Sequence, residues 1–204
     1  SDADMIIITA PALRSQAEEL AELHRTLQHM DVSIVTTTEV ANEYGSGSES
    51  AYAIRRAIKH MHDRSNSKIA YVLLYGTGSY NNRSTVGRGV PTYQCHNRLY
   101  MTHDQLSYST DAYYAMLDNA FSPDIAHKEK PYLAVGRIPA ATPDEAALYN
   151  AKVKAFMLDT DGASYHQTAL ISCDLGDNGE HSSIAENHAA QLERRLPQAV
   201  VHKV

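Results

Sequence analysis

Tryptophan is absent from this 204-residue chain, phenylalanine and cysteine occur twice each, and tyrosine occurs 13 times. A ring with a polar tip suits partly exposed surfaces and clefts better than a dry core, so the aromatic inventory points to a surface with grooves. The two cysteines, Cys95 and Cys173, form no Cys-x-x-Cys pair, and at that separation they could be bridged, free or buried. Positive charge is also short: 18 Lys plus Arg stand against 24 carboxylates, for a formal charge of −6. That balance lacks the basic footprint of a general nucleic-acid or membrane-surface binder. No apolar run approaches the ~20 residues of a membrane-spanning helix. With 43% apolar and 21% charged residues the chain has the composition of an ordinary globular domain. Its opening, Ser1-Asp2-Ala3, has neither an initiator Met nor a basic-then-apolar leader, as expected of a mature or excised piece.

What is present is an alternation of strands and helices. Met5-Ile6-Ile7-Ile8-Thr9 is a β-branched run closed by Ala10-Pro11. Leu13, Ala17, Leu20, Leu23, Leu27 and Met30 then recur at helical spacing. The pattern predicts strands near 5–9, 32–36, 69–75, 132–135 and 168–173, with helices near 12–30, 50–63, 143–157 and 183–195. Thr142-Pro143-Asp144-Glu145 is a strong helix start, with Ala146, Tyr149, Val153 and Phe156 expected on the buried face. Between Gly76 and Thr110 no period survives and a long functional loop is expected, followed by a short strand at Tyr113–Leu117. Ala199 to Val204 starts a further strand. Such alternation means an α/β architecture with a largely parallel sheet, divided into two subdomains at about 1–160 and 161–204 onward.

The common chemical signatures are missing. Gly76-Thr77-Gly78 follows a strand but is neither G-x-G-x-x-G nor a P-loop, which disfavours a nucleotide- or flavin-binding domain. Eleven histidines include no H-E-x-x-H, and His60 and His62 point to different faces of a helix. Gly45-Ser46-Gly47 lacks the strand-to-helix setting of a nucleophile elbow. The densest polar segment runs from Asp174 through Asp177, Asn178, Gly179, Glu180 and His181 to Ser182, between a strand end and a helix start. It is either a solvated loop with a capping serine or the wall of a substrate cleft.

Several phrases, taken in order, carry a resemblance. They are Tyr71-Val72-Leu73-Leu74-Tyr75-Gly76 leading to Ser79-Tyr80, Val90-Pro91-Thr92-Tyr93-Gln94, Thr110-Asp111-Ala112-Tyr113-Tyr114 with Leu117-Asp118, and Val135-Gly136-Arg137-Ile138-Pro139 followed by Asp144-Glu145-Ala146. Together they resemble the gingipain-type cysteine peptidases, family C25, and within that family the surface sortases of the type IX secretion system. The resemblance spans essentially the whole chain and is most specific from Val135 to Ala146. It implies a caspase-like, gingipain-like α/β fold, incomplete at its C-terminal end, and a thiol peptidase using a Cys–His dyad without a cofactor. For the sortase members it implies removal of the C-terminal sorting domain of secreted cargo and transfer of the cargo to anionic lipopolysaccharide. Other secretion-system components would be partners, nucleic acid would not, and the site of action would be the outer face of the outer membrane.

The departures are equally specific. The family's catalytic His sits in a Gly-His-Gly phrase and its Cys comes later; this sequence has no Gly-His-Gly, and neither Cys95 nor Cys173 matches the nucleophile. No catalytic residue is therefore assigned, and residues 1–204 alone are expected to be inactive. The stretch around Asp177, Glu180 and Ser182 resembles the loop lining the primary specificity pocket, which makes these three the substrate-binding candidates. Ser182 stands where Arg-specific members have an Asp, and a hydroxyl cannot pair with a guanidinium. Thr77 and Gly78 replace an acidic calcium ligand, so no metal is assigned. A truncated sheet is expected to expose an edge for a second copy or another segment. The competing reading is a non-catalytic α/β module that binds a protein or peptide through the Gly76–Thr110 and Asp177 loops.

Overall fold

The computed structural model describes residues 3–66, 68–79, 81, 89–96, 107–118, 130–159 and 167–204, and divides into two compact units, Ser1–Met157 and Leu158–Val204. In the first unit β1 (Met5–Thr9), β2 (Val32–Thr36), β3 (Tyr71–Tyr75) and β6 (Ala134–Ile138) form a parallel sheet in the order β2-β1-β3-β6. Every residue of β1 is buried, and its alternate side chains enter two separate cores. Ile6 and Ile8, with Val72 and Leu74, pack under α2 (Thr37–Tyr44) and α3 (Ala51–Arg64). Met5 and Ile7, with Tyr75 and Ile138, pack under α1 (Arg14–Gln28) and α4 (Pro143–Leu158). A strand buried on both faces needs a continuous apolar run, which is why Ile6-Ile7-Ile8 does not alternate. Each such side chain contributes about 1.5–3 kcal/mol by leaving water.

The α/β architecture with a mostly parallel central sheet flanked by helices is as the strand–helix rhythm predicts, with five differences in detail. First, α2 was not visible as an apolar pattern. It is set by a capping box: Thr36 Oγ1 accepts from Glu39 N at 3.1 Å, and the Glu39 carboxylate accepts from Thr36 N at 2.7 Å. Second, β6 runs from Ala134 to Ile138 rather than 132–135, because Gly136 and Arg137 continue the pairing with Leu73 and Leu74 of β3. Third, the expected loop holds an antiparallel pair, β4 (Tyr93–His96) and β5 (Ser107–Thr110), with Tyr93 opposite Thr110. Much of the loop around it lies outside the described residues.

Fourth, the segment expected as a strand at Tyr113–Leu117 begins as a 3-10 turn, Ala112–Ala115, which buries both Tyr113 and Tyr114. Fifth, the strand expected near 168–173 ends at Ile171. In the second unit β7 (Thr168–Ile171) pairs in parallel with β8 (Val200–Lys203), joined through α5 (Glu180–Arg195). Among the described residues no helix is long and apolar enough to cross a membrane.

The start of α4 is as expected. Thr142 Oγ1 accepts from Glu145 N at 3.2 Å and the Glu145 carboxylate accepts from Ala141 N at 2.7 Å. Its buried face is so only in part: Ala146 is buried and Val153 packs against the same core, with Asn150 beside them, while Tyr149 is 36% and Phe156 62% exposed. The helix carries two apolar stripes, and the sequence pattern alone does not say which one meets the sheet. Asn150 decides it, taking the Tyr75 hydroxyl on Oδ1 at 2.8 Å and giving Nδ2 to Gln16 O at 2.8 Å.

Candidate functional site

Ligands of open α/β sheets bind outside the carboxyl ends of the strands. In the first unit that edge carries a cleft of about 440 Å³, lined by Gly78, Ser79, Thr92, Ser109, Thr110, Asp111 and Arg137. Its organiser is Arg137, near the end of β6. Arg137 Nε and Nη2 donate to the two oxygens of Asp111 at 2.7 and 2.8 Å, a bidentate fork. Nη1 donates to the carbonyls of Gly76 and Val90, each at 2.9 Å, and Nη2 reaches Pro91 O at 3.4 Å. All five N–H donors are thus committed, and one side chain ties β6 to three other chain segments. The Tyr114 hydroxyl also donates to Pro91 O.

The wall behind the cleft is aromatic. Tyr93 stacks on Tyr113 with ring centroids 3.9 Å apart, and the Arg55 guanidinium lies 5.4 Å from the Tyr113 ring centre. Arg55 in turn donates to Met116 O and Asp118 O, fixing the 3-10 turn to α3. Burial drives the Tyr113 and Tyr114 hydroxyls well above the ordinary tyrosine range, against the pull of Arg55 and Arg137 respectively. With Arg137 paired to Asp111, the other side chains of the described lining are the hydroxyls of Ser79, Thr92, Ser109 and Thr110.

Glycine is required at Gly78 by space. A Cβ there would lie 2.3 Å from Thr92 Cγ2, and Thr92 is itself held by its hydroxyl on Ser79 O at 2.8 Å. Gly78→Ala is expected to displace the start of β4 and to cost about 1–3 kcal/mol of stability, the usual range for overpacking. Amide exchange accelerating at residues 90–94, alongside a lower urea midpoint, is the check.

In the second unit the three substrate-binding candidates share one turn beyond the carboxyl end of β7. Asp177–Gly179 form a 3-10 turn with left-handed backbone at Asn178 (φ 55°) and Gly179 (φ 84°). The Asp177 side chain lies outside what is described. Glu180 opens α5 and is exposed, where its charge complements the helix dipole. Ser182 is half-buried, its Oγ 3.4 Å from Asp174 O.

The pairing that sequence reading missed is Asp174 with His181, Oδ1 to Nδ1 at 2.5 Å. Seven residues separate them, and only the turn brings them together. That hydrogen bond, followed by one from Gly176 N, holds the Asp174 carboxyl below the ordinary aspartate range. A carboxylate on one ring nitrogen orients an imidazole, as proton-transfer sites require.

Of the states left open for Cys173 (bridged, free or buried) the structure shows an exposed free thiol, two residues past the end of β7. Among the described residues no hydrogen bond joins it to an imidazole, and no group of three or more metal-ligating side chains occurs.

A search of curated protein sequences gives no match. Among solved structures, dimeric latent PorU from Porphyromonas gingivalis superposes with a TM-score of 0.63 at 27% identity, over 74% of this chain and 15% of that one. The complex of Porphyromonas gingivalis RgpB pro- and mature domains gives 0.61 at 14% identity, over 98% of this chain and 41% of that one. The Arg-specific cysteine proteinase gingipain R gives 0.62 at 14% identity, over 99% and 41%. The chain thus spans well under half the length of the structures it matches, and the two at 14% identity speak for the fold alone. The gingipain-like architecture, the phrases from Tyr71 to Ala146 and a family match that runs over residues 1–204 converge: the chain belongs to peptidase family C25.

Proposed function

We propose that the protein carrying this chain is a cysteine endopeptidase and transpeptidase of the sortase kind. It removes the C-terminal sorting domain from type IX secreted cargo and joins the cargo to anionic lipopolysaccharide at the outer face of the outer membrane. Membership of family C25 supports the peptidase chemistry, and the 27% identity with PorU favours the sortase branch. In this reading residues 1–204 supply the sheet and cleft walls, while the thiolate and its imidazole come from elsewhere in the protein. Asp177, Glu180 and Ser182 line the pocket for the side chain preceding the scissile bond. Without a carboxylate at position 182, that pocket disfavours arginine. Other secretion-system components engage the same protein, and an open sheet edge is available to a second copy.

The reaction needs a thiol within about 3 Å of an imidazole to generate the thiolate, and backbone N–H groups to hold the oxyanion. The exposed Cys173 has no such partner among the described residues. The test is a cargo protein ending in a sorting domain, incubated with an amine acceptor and either the whole protein or residues 1–204. Cleavage and acceptor ligation by the whole protein, none by residues 1–204, and no change on Cys173→Ala are the expected results. Turnover by residues 1–204 that disappears on Cys173→Ala would place the active site here and overturn the assignment. A whole protein that binds cargo without cleaving it would instead favour the non-catalytic binding module.

A further inference from the structure

The two charged groups of the cleft at the sheet's carboxyl edge differ in what they keep for a ligand. Arg137 commits all five N–H donors within the protein, to Asp111 and to the carbonyls of Gly76, Val90 and Pro91. Asp111 does not use up its acceptors. Its side chain is 29% exposed, and an ionised carboxylate has about four lone-pair sites. The fork from Arg137 takes one on each oxygen, at 2.7 and 2.8 Å, so each oxygen keeps another for a donor from outside. Beside it stand hydroxyls whose oxygens already accept from the backbone. Thr110 Oγ1 accepts from Ala112 N at 3.2 Å, and Ser79 Oγ accepts from Asn81 N at 3.0 Å. Each keeps its own proton to give, and the exposed Ser109 hydroxyl can both give and accept.

Acceptors in a pair, ringed by hydroxyl donors, discriminate among ligands. An anion meets the lone pairs of Asp111. A cation gains little, because the guanidinium 2.7 Å away already balances the carboxylate. A peptide presents its N–H groups one per residue, separated by carbonyls, and leaves one of the two oxygens unused. Adjacent hydroxyls of a sugar ring present two donors side by side, and their oxygens accept from the surrounding hydroxyls. The cleft volume of about 440 Å³ lies within the range of small-ligand sites, roughly 300–1,000 Å³.

We infer that this cleft is a carbohydrate-binding site, in which Asp111 accepts from two neighbouring hydroxyls of a neutral sugar and Ser79, Ser109 and Thr110 hydrogen-bond around them. Arg137 is the positioning residue: its fork fixes the carboxylate plane and leaves the outer side of each oxygen to the sugar. The proposal is independent of the peptidase reading, since a sugar is held with or without turnover. A few partly exposed hydrogen bonds, each of small net value, give binding in the millimolar range.

Saturation-transfer NMR on the whole protein provides the test, with the methyl glycosides of glucose, galactose and mannose as probes. At least one is expected to receive saturation at millimolar concentration. Asp111→Asn turns one acceptor oxygen into an N–H donor. Ser109→Ala removes a hydroxyl that makes no hydrogen bond among the described residues, so the fold stays intact. Each is expected to weaken binding at least threefold, Ser109→Ala with unchanged thermal unfolding. Thr26→Ala, which removes an exposed hydroxyl from α1, is expected to leave binding unaltered. No transfer to any of the three sugars overturns the proposal, as does binding that neither cleft variant weakens or that Thr26→Ala weakens equally. Full displacement of the sugar by tetraglycine would make the cleft a peptide site and would overturn it too.

Discussion

Between pH 10 and 12 the first unit is expected to unfold cooperatively. Tyr75, Tyr113 and Tyr114 are at most 1% exposed, and burial raises all three hydroxyls. Tyr75 is pushed up to about 12, with its hydrogen bond to Asn150 opposing burial, and the other two go higher. The unfolded chain releases each proton near pH 10 while the folded chain holds it. Stability is therefore undiminished below about pH 10 and falls above it. Each tyrosine takes up to about 1.4 kcal/mol per pH unit, so three together take up to roughly 8 kcal/mol by pH 12. That is comparable to the whole stability of an ordinary domain. The tyrosinate absorbance should rise in two steps, exposed rings first and the buried set together with loss of circular dichroism. One smooth ionisation of all 13 tyrosines near pH 10, with the helices intact, would show that these rings are not held as described.

Removing the Arg137 side chain is expected to be the most damaging single change near the cleft. Arg137→Met takes the guanidinium from the Asp111 carboxylate and from the carbonyls of Gly76 and Val90, leaving Pro91 O to the Tyr114 hydroxyl, inside a region where the arginine side chain is 12% and the aspartate 29% exposed. Breaking a buried pair from one side costs about 3–5 kcal/mol, and the partial exposure of Asp111 places the expected loss toward the lower figure. Arg137→Lys keeps the charge but not the fork, and should recover only part of it. Urea unfolding of the two variants gives the numbers. The cleft should suffer with the fold, since the strand carrying Ser109 and Thr110 is anchored through Asp111. A loss under about 1 kcal/mol for Arg137→Met would mean that the clamp is incidental to the fold.

Both effects concern residues whose importance was only half legible in sequence. Val135-Gly136-Arg137-Ile138-Pro139 stands out as a phrase, yet the strand expected near 132–135 stops short of Gly136 and Arg137. Paired against Leu73 and Leu74, they lie within one. The surplus of tyrosine points to clefts and open surface, whereas Tyr75, Tyr113 and Tyr114 are core residues, the Tyr75 hydroxyl donating to Asn150 and the Tyr114 hydroxyl to Pro91 O. Composition cannot separate these uses, because a tyrosine is apolar or polar according to what surrounds it. The Asp174–His181 pair was hidden for a related reason: both residues were in the right segment, but a seven-residue separation becomes a 2.5 Å contact only through the turn at Asn178 and Gly179.

By itself the sequence determined the class of the fold, most of its strands and helices, and the family phrases. These follow from local rules: β-branched runs, apolar spacing, capping side chains and turn residues act over a few positions of chain. Tertiary structure alone decided three things. It chose which apolar stripe of α4 meets the sheet, through the reach of Asn150 to Tyr75 and Gln16. It paired β7 with β8 across the whole length of α5. And it brought Arg137 to Asp111 and three distant carbonyls, a meeting that depends on strand register, which no local pattern encodes.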